Sequence, residues 1–403
     1  MESVKTAMTM VSKNCFMAVI DLKDAYHAIP VHESCQKYLK FRWKEVLYKY
    51  RCIPFGLCLA PWLYTKLNKP VVSYLRSLGV LLVSYLDDTL IIGRTEAECK
   101  KSLKLALDLF SRLGLVVNME KSQLIPSKQV RFLGFILNSE IMRMLLPVDK
   151  FHKIISKCRM VLDANVSLIR VVAELVGILV AASPATRYGM LYTRQLEIEK
   201  TAALIRSSGK YTGNIVISSV ARMDIKWWTD NINSEFRPLC QPNPTKVIFS
   251  DSSPLGWGAV CGDKEARGNF SPEDQLLHIN VLELMAVFYG INSFAKDAFN
   301  EYIQLRVDSS TAMAYVNNFG GCRSQDLHNI AKNIWVWCQE RNIILHATYI
   351  NTQHNVDADR LSRMKVDVSD FSLTKSYFQT ICSKFYRPDI DLFATYQTTQ
   401  FDR

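Results

Sequence analysis

The feature that most constrains the fold of this chain is a pair of short apolar runs that carry acidic residues. FMAVID (16–21) ends in Asp21, and VLLVSYLDDTLIIG (80–93) holds Asp87 and Asp88 between two apolar halves. Apolar segments that flank a two-acid turn predict a β-hairpin. The first run is the clearest partner for that hairpin. We therefore expect the three carboxylates at a common edge of one sheet.

Helical spacing of apolar residues predicts helices over 60–78 and 96–113, on either side of the hairpin. The order strand, helix, hairpin, helix favours an α+β sheet with helices on one face. Further along, 130–136 and 141–146 are predicted to pair as a second hairpin, and 148–182 to form a helical stretch.

Three prolines within 237–245 predict a linker between two domains. After it, the apolar patterns predict four strands and two helices. The strands are 246–251, 255–262, 302–307 and 343–350, and the helices are 280–297 and 324–340. This order favours a mixed α/β sheet.

The charge of the chain is unevenly distributed. Residues 1–240 carry 34 basic and 20 acidic side chains, whereas 241–403 carry 15 and 18. A basic front suits nucleic acid, because lysine and arginine neutralise phosphates and release counterions. A basic surface that only keeps the chain in solution is the alternative. The 49% hydrophobic content excludes a disordered chain.

The eleven cysteines include no C-x-x-C pair, which argues against a disulfide framework and a structural zinc site. They favour an intracellular location, cytoplasmic or nuclear. The first residues contain no apolar segment of signal-peptide type, and the run from Val171 to Ala182 is interrupted by Glu174. This run is too short to span a membrane. We therefore expect no membrane partner.

Three carboxylates that lie together repel one another unless a cation separates them. Oxygen ligands alone select hard divalent ions such as Mg²⁺, with Mn²⁺ as an alternative. A pair of such ions stabilises the attacking and leaving oxygens in phosphoryl transfer. The simpler reading of Asp87 and Asp88 is a pair of solvated turn formers.

Five ordered segments resemble the successive motifs of the reverse transcriptase palm. They are AVIDLKDAYHAIPV (18–31), YRCIPFGLCLAPWLYTKL (50–67), SYLDDTLII (84–92), LGLVVNMEKSQLIP (113–126) and VRFLGF (130–135). The resemblance implies that Asp21 and Asp87 are the catalytic, metal-binding pair and that Asp88 is the third motif acid.

The same resemblance implies residues that hold nucleotide and primer. The implied nucleotide-binding residues are Tyr26, Phe55, Gly56 and Lys121. Tyr26 would clash with a ribose 2′-hydroxyl, and Lys121 would lie near the triphosphate. The implied primer-binding residues are Phe132, Leu133 and Gly134. Tyr26 and Phe132 could instead be core aromatics, and Lys121 a solvated loop residue.

The second half of the chain offers four acids at the edges of predicted elements: Asp251, Glu283, Asp308 and Asp359. Such acids converge only if the fold brings their elements together. Glu283 has an alternative explanation, because Asn280 three residues earlier makes a variant of the capping box.

Four segments here resemble the ribonuclease H of retroelements: SDSSPLGWGAV (250–260), HINVLELMAV (278–287), LRVDSSTAMAYVNNFGG (305–321) and HNVDADRLSR (354–363). The resemblance implies that the four acids are catalytic and hold two Mg²⁺ ions that activate water against the RNA of an RNA–DNA hybrid. Asn355, four residues before Asp359, favours Asp359 over Asp357 as the ligand.

Two histidines, His354 and His346, are both candidates for a mobile base or a product-release residue in that site. A packed or capping side chain is the alternative for each. Ser309 stands where related elements often have asparagine, which is a departure from the family pattern.

Together with RPDIDLFATYQTTQ (387–400), these motifs resemble retrotransposons of the DIRS type, which also carry a tyrosine recombinase. Because Asp21 lies close to Met1, we expect most of the fingers to be missing. The expected domains are a palm (1–146), a thumb or connection of helices (147–240), a ribonuclease H-like domain (245–365) and a tail toward an absent recombinase (366–403).

The resemblance implies an RNA-directed DNA polymerase with ribonuclease H activity and two Mg²⁺ ions in each active site. The implied partners are an RNA template, a DNA primer, RNA–DNA hybrid and deoxynucleoside triphosphates. The alternative is a polymerase-dead remnant that only binds nucleic acid or retains only hybrid cleavage. The sequence does not predict an oligomeric state.

Overall fold

The chain divides into two compact units, Met1–Pro242 and Asn243–Arg403, in a computed structural model. The structure describes residues 2–240, 243–364, 373–387 and 399. Much of the tail predicted over 366–403 therefore lies outside the described residues.

The first unit combines strands with helices and ends in helices. Its helices are α1 (Val4–Met10), α2 (Glu33–Gln36), α3 (Ala60–Ser77), α4 (Glu96–Arg112), α5 (Val148–Asp163), α6 (Ile169–Ala182), α7 (Leu191–Arg206) and α8 (Ser219–Asn231). Its strands are β1 (Phe16–Asp21), β2 (Lys40–Trp43), β3 (Val46–Lys49), β4 (Leu81–Tyr85), β5 (Asp88–Gly93), β6 (Gln123–Ser127), β7 (Gln129–Phe132), β8 (Phe135–Asn138), β9 (Arg143–Leu145), β10 (Ser167–Leu168), β11 (Asn214–Ile215) and β12 (Arg237–Pro238).

The central sheet of the first unit has the strand order β4-β5-β1-β6, with antiparallel neighbours. Both of its faces are covered. Met17 and Val19 point into a core shared with a second sheet, while Ala18 and Ile20 point into a core formed with α3 and α4. Because side chains alternate along a strand, a strand buried on both faces needs an uninterrupted apolar run. The predicted α+β architecture, with helices on one face, is confirmed.

The second sheet has the order β12-β9-β8-β7, and here the prediction of one strand over 130–136 is wrong. The chain turns at Leu133 and Gly134, whose φ angles are 48° and 77°, and Phe132 pairs with Phe135. Two positive φ values suit a two-residue hairpin, because the turn then follows the twist of its strands. The sequence hides this turn, since only Arg131 and Gly134 interrupt the apolar residues of 130–136.

The helical stretch predicted over 148–182 is two helices, α5 and α6. Helix α5 ends where Ala164 takes an extended backbone, with φ −86° and ψ 132°. Helices α5 to α8 share a core that includes Leu175, Leu196 and Trp228. The break between α5 and α6 lets both apolar faces reach this core, which one straight helix does not allow.

The linker is shorter than the predicted 237–245. Arg237 and Pro238 form β12, which pairs with β9. Leu239 is buried, and its N–H donates to the Met142 carbonyl oxygen at 3.0 Å.

The second unit is built on one five-stranded sheet, which confirms the predicted mixed α/β class. Its strands are β13 (Lys246–Ser252), β14 (Gly256–Cys261), β15 (Lys264–Asn269), β16 (Tyr302–Val307) and β17 (Ile344–Tyr349). Its helices are α9 (Ile279–Ala295), α10 (Ser310–Asn317), α11 (Gln325–Glu340), α12 (Val356–Arg363) and α13 (Lys375–Lys384). The order is β15-β14-β13-β16-β17, with β13 to β15 antiparallel and β16 and β17 parallel to β13. The sequence did not predict β15 or α12, whose residues KEARGN and VDADRLSR are mostly polar.

Helices α9 and α12 lie on opposite faces of this sheet. Ala259 of β14 lies next to Gly290 of α9, whereas its neighbour Gly258 faces α12. A Cβ atom on Gly258 would collide with the Ala358 carbonyl oxygen and lie 2.6 Å from Leu361 Cβ. The missing side chain lets α12 lie directly on the strand.

Within the described part of the chain, no helix has the length and apolar character needed to cross a membrane. All eleven cysteines lie in that part, and they are present as thiols.

We expect Gly258→Ala to destabilise the second unit by about 1–3 kcal/mol, because the added methyl group overpacks the contact with α12. Thermal unfolding of the full chain measures this loss as a lower Tm. Gly177→Ala on the exposed side of α6 is the matched control, since a Cβ atom there meets nothing within 4 Å. This control should leave Tm unchanged or slightly raised. An unchanged Tm for Gly258→Ala would contradict the close packing of α12.

Two carboxylate clusters as candidate active sites

The first cluster lies at one end of the central sheet of the first unit. Asp21 ends β1 and is paired directly with Asp88, the first residue of β5. Asp87 lies in the turn before β5, after Leu86, whose φ is 52°. The Leu22 N–H donates to the Asp87 carbonyl oxygen at 3.0 Å and ties the turn to the end of β1. The structure thus brings the three predicted acids together.

The segment after α4 supports Asp21 through the backbone. The Asn118 N–H donates to the Asp21 carbonyl oxygen at 2.8 Å, and the Asp21 N–H donates to Ser122 Oγ at 3.0 Å. Sequence reasoning missed Ser122, because a serine beside Lys121 carries no distinctive pattern. The backbone of Asp21 makes both bonds, so its carboxylate is not needed to hold the end of the strand.

The electrostatics of this cluster favour a bound cation. Burial, together with the charges of Asp87 and Asp21, raises the pKa of Asp88 to about 6. Burial also raises the pKa of Asp87, with Asp21 as a further cause. Lys121 lowers the pKa of Asp87 and Asp88, so its charge lies within reach of the acids. One lysine is not enough to offset three carboxylates.

The predicted nucleotide-binding aromatics form a group beside Asp87. The ring centroids of Tyr26 and Phe55 are 5.2 Å apart. Tyr64, which sequence reasoning missed, lies edge-on to Tyr26 at 5.9 Å. Tyr26 is half-buried and Phe55 is 64% exposed, so a surface open to a ligand remains. Gly56 follows with φ 92° and lies in a turn where a side chain would be strained.

The predicted primer-binding residues occupy the tip of the β7–β8 hairpin. Leu133 and Gly134 form its turn, whereas the Phe132 side chain is only 1% exposed. Phe132 packs in the core between the two sheets of the first unit, as the alternative reading had it. Its ring supports the turn from inside and does not reach the surface.

The second cluster lies in the second unit, where three acids from separate elements converge. Asp251 is in β13, Asp308 follows the parallel strand β16, and Glu283 is in α9. One carboxylate oxygen from each lies within 4.8 Å of the other two. Parallel neighbours end at the same edge of a sheet, which brings Asp251 and Asp308 together. This oxygen-only set could hold a divalent cation.

Burial is the main reason that the pKa values of Asp251 and Glu283 are high. It raises the pKa of Glu283 to about 8, with the charges of Asp251 and Asp308 as further causes. It raises the pKa of Asp251 to about 7, against a hydrogen bond from Ser362 that lowers it. The acids therefore resist simultaneous ionisation unless a cation is bound.

Asp359, the fourth predicted acid, reaches the cluster from α12. Its charge raises the pKa of Asp251, but its carboxylate is paired with Arg363 of the same helix. Asn355 is buried, and its Nδ2 donates to the Ser250 carbonyl oxygen at 3.1 Å, which ties the start of α12 to β13. Asp357 is 69% exposed.

Sequence reasoning missed three further side chains at this cluster. Ser362 Oγ donates to Asp251 Oδ2 at 2.9 Å, and Thr352 Oγ1 donates to Asp308 Oδ2 at 2.8 Å. Arg363 is the third. Ser362 and Arg363 lie three and four residues after Asp359, and residues at this spacing share a helix face. A prediction of α12 would therefore have identified both residues as neighbours of Asp359.

The capping-box reading of Asn280 and Glu283 is wrong. Helix α9 begins at Ile279, and the N-cap is His278, whose Nδ1 accepts from the Asn280 N–H at 3.1 Å. Glu283 thus lies beyond the first turn, where it cannot cap the helix, and its carboxylate faces Asp251 and Asp308 instead.

The two candidate histidines differ in position. His354 is exposed in a 3₁₀ turn just before α12, whereas His346 lies within β17, paired with Gln304. Ser309 is the N-cap of α10, and its Oγ accepts from the Ala312 N–H at 3.2 Å. The serine at this position thus has a structural role.

Residues 1–137 match the family model of reverse transcriptase (RNA-dependent DNA polymerase). Protein P of hepatitis B virus genotype D, subtype ayw, is 26% identical over 280 residues, which are 64% of this chain and 31% of that protein. The putative enzymatic polyprotein of Cassava vein mosaic virus is 22% identical over 372 residues, 88% of this chain and 54% of the polyprotein. The chain thus spans about a third to a half of these relatives.

The fold is similar to that of the foamy viral protease-reverse transcriptase. The structure of that protein in complex with RNA/DNA hybrid matches with a TM-score of 0.50 and 16% identity, over 91% of this chain and 48% of that one. A second structure, of its dRH form in complex with double-stranded DNA, also has a TM-score of 0.50 and 16% identity, over 86% and 59%. The likeness concerns the fold, with antiparallel sheets and helices in the first unit and a mixed α/β sheet in the second.

We expect the metal-free chain to lose stability as the pH rises from about 5 to 8. A carboxyl whose pKa is raised on folding holds its proton more tightly in the folded state, so its stabilising effect is complete below the ordinary pKa near 4 and is lost as the pH passes 7 to 8. Asp251→Asn should therefore raise Tm at pH 8 without added metal, by at least about 2 °C, and less at pH 5.

Thermal unfolding with a chelator at both pH values measures this effect. Asp357→Asn is the matched control, because its side chain is exposed two residues from Asp359, and it should leave the pH dependence unchanged. A lower Tm of Asp251→Asn at pH 8 would show that carboxylate repulsion does not destabilise the unit.

Proposed function

We propose that the chain is an RNA-directed DNA polymerase that also cleaves RNA in RNA–DNA hybrids. The match of residues 1–137 to the reverse transcriptase family and the similarity to a viral polyprotein support this proposal. Its proposed partners are an RNA template, a DNA primer and deoxynucleoside triphosphates. The observation that carries the polymerase proposal is the pairing of Asp21 with Asp88, with Asp87 in the adjoining turn.

In the proposed polymerase step, the primer 3′-oxygen forms a bond to the α-phosphorus of the nucleotide, and pyrophosphate leaves. Asp21 and Asp87 would hold two Mg²⁺ ions, with Asp88 beside them. Bound there, the ions would stabilise the attacking and leaving oxygens. The Lys121 ammonium group offsets negative charge at the acids and favours departure of the pyrophosphate.

The aromatic group beside Asp87 selects the sugar in this proposal. Tyr26 restricts the space where a ribose 2′-hydroxyl would lie, and its ring is held between Phe55 and Tyr64. Gly56 keeps the turn after Phe55 free of a side chain. The primer end rests on the turn at Leu133 and Gly134.

The proposed nuclease site is the second cluster, which would hold two Mg²⁺ ions at Asp251, Glu283, Asp308 and Asp359. Support comes from the three carboxylate oxygens that lie within 4.8 Å of one another. The reaction is hydrolysis of a phosphodiester in the RNA strand: a water oxygen forms a bond to phosphorus and the 3′-oxygen of the preceding ribose leaves. His354 is a better candidate than His346 to move a proton or release product, because it is exposed.

We assign the chain to a retrotransposon of the DIRS type on the resemblance of its motifs, and an intracellular location belongs to the same proposal. The domain assignments follow: palm (1–146), thumb or connection (147–240), ribonuclease H-like domain (245–365) and tail (366–403).

Primer extension tests the polymerase site. We expect the purified chain to extend a DNA primer on an RNA template with Mg²⁺ and deoxynucleotides. The rate of extension by Asp87→Asn should be at least about 100-fold lower, because a charge that stabilises the transition state is gone. Asp24→Asn is the matched control, since this acid is near Asp21 in sequence but its side chain is 74% exposed. Equal extension by Asp87→Asn and the wild type would remove Asp87 from the site. No extension by a folded wild-type chain would overturn the polymerase proposal.

Cleavage of a labelled RNA–DNA hybrid tests the nuclease site. We expect Asp251→Asn to abolish cleavage, because its carboxylate is at the centre of the cluster, while Asp357→Asn cleaves like the wild type. Cleavage that persists in a clean preparation of Asp251→Asn would overturn the assignment. If the wild type binds hybrid without magnesium and does not cleave it, only the alternative of a nucleic-acid-binding protein remains.

A further inference from the structure

Arg363 forms an ion pair with one of the four acids of the second cluster. Its Nε donates to Asp359 Oδ1 at 2.8 Å, and its Nη2 lies 2.7 Å from the same oxygen. The side chain of Asp359 is 29% exposed and that of Arg363 is 64% exposed. Two N–H groups on one oxygen fix the direction of the carboxylate as well as neutralising it.

The charge of Arg363 also acts on the other acids. The pKa of the guanidinium is raised chiefly by Asp359, and Asp251 and Asp308 add to the effect. In return, Arg363 lowers the pKa of Asp251. The guanidinium therefore lies within the field of the cluster, at the side where α12 joins it.

The two sides of the cluster differ in what occupies them. Asp251, Glu283 and Asp308 are grouped closely enough to share one cation. Asp359 is outside that group, and its Oδ1 already accepts from Arg363. A divalent ion at Asp359 and the guanidinium therefore compete for one carboxylate.

We propose that Arg363 is a positioning residue that stands in for a cation at Asp359, so that one divalent ion binds tightly at Asp251, Glu283 and Asp308 and a second binds weakly, by displacing the guanidinium. This inference rests on the proposed nuclease site. By this inference, Arg363 of α12 sets the order in which the two ions bind.

The neighbouring residue links the two sides. Ser362 is 1% exposed and donates to Asp251, so the last turn of α12 contacts an acid on each side of the cluster. Release of Arg363 from Asp359 leaves this buried bond in place. The tight site is thus expected to persist while the weak site opens.

The test is a Mn²⁺ titration of the full chain. Binding is measured by calorimetry and by the electron paramagnetic resonance signal of free Mn²⁺. Every chain in this titration also carries Asp21→Asn and Asp87→Asn, so that the ions counted belong to the second cluster. We expect one tight and one weak site, and Arg363→Gln should tighten the weak site about three- to tenfold, in line with an exposed ion pair, without changing the tight one.

Two variants control for the loss of an arginine on this helix. Arg363→Lys keeps the positive charge and should keep the second site weak. Arg360→Gln removes a cation that pairs with Glu265 at 2.6 Å and should change neither site. Near-equal Tm values without metal show that the variants fold.

A weak site that is unchanged or weaker in Arg363→Gln overturns the inference, because Arg363 then does not compete with the ion. Hybrid cleavage by the same chain with Asp21 and Asp87 intact separates this failure from that of the proposed function. A wild-type chain that cleaves hybrid while Arg363→Gln leaves the titration unchanged refutes only the role of Arg363. A second cluster that binds no Mn²⁺ and cleaves no hybrid refutes the nuclease site itself.

Discussion

Repulsion between carboxylates is the constraint on which both units are built. Each sheet brings at least three acids to one of its ends, and burial there makes their ionised forms costly, which is why the pKa values of Asp88, Asp251 and Glu283 are raised. Such clusters do not stabilise a fold by themselves. The apolar cores of the sheets hold the acids together, and a divalent cation bound to the carboxylates would relieve the repulsion.

The two units solve this problem with different backbone geometry. In the first, antiparallel pairing sets Asp21 opposite Asp88, and the burial of both faces of β1 fixes the register. In the second, two parallel strands end at one edge, and helices on opposite faces of the sheet add Glu283 and Asp359. The second arrangement depends on Gly258, because α12 reaches the sheet only where a side chain is missing.

Each cluster also has a side-chain cation next to it, and the two cations are held differently. Lys121 lowers the pKa values of Asp87 and Asp88 without an ion pair of its own to either acid among the interactions of the described residues. Arg363 is anchored to Asp359 by two nitrogen atoms. A loosely held ammonium group can follow a changing charge, whereas an anchored guanidinium fixes one carboxylate until a stronger cation replaces it.

The main strands, most of the long helices, the α+β and mixed α/β classes, and the seven acids of the two clusters were predictable from the sequence, because long apolar runs and their periods reflect which faces are buried. Tertiary packing fixes what lies within such runs: the turn at Leu133 and Gly134 inside 130–136, the break inside 148–182, and the start of α9 at Ile279, which removes Glu283 from a cap. It also decided that Phe132 is a core residue and that Ser362 and Arg363 contact the acids. Local patterns record burial, whereas contacts between residues distant in sequence depend on how the sheets and helices pack.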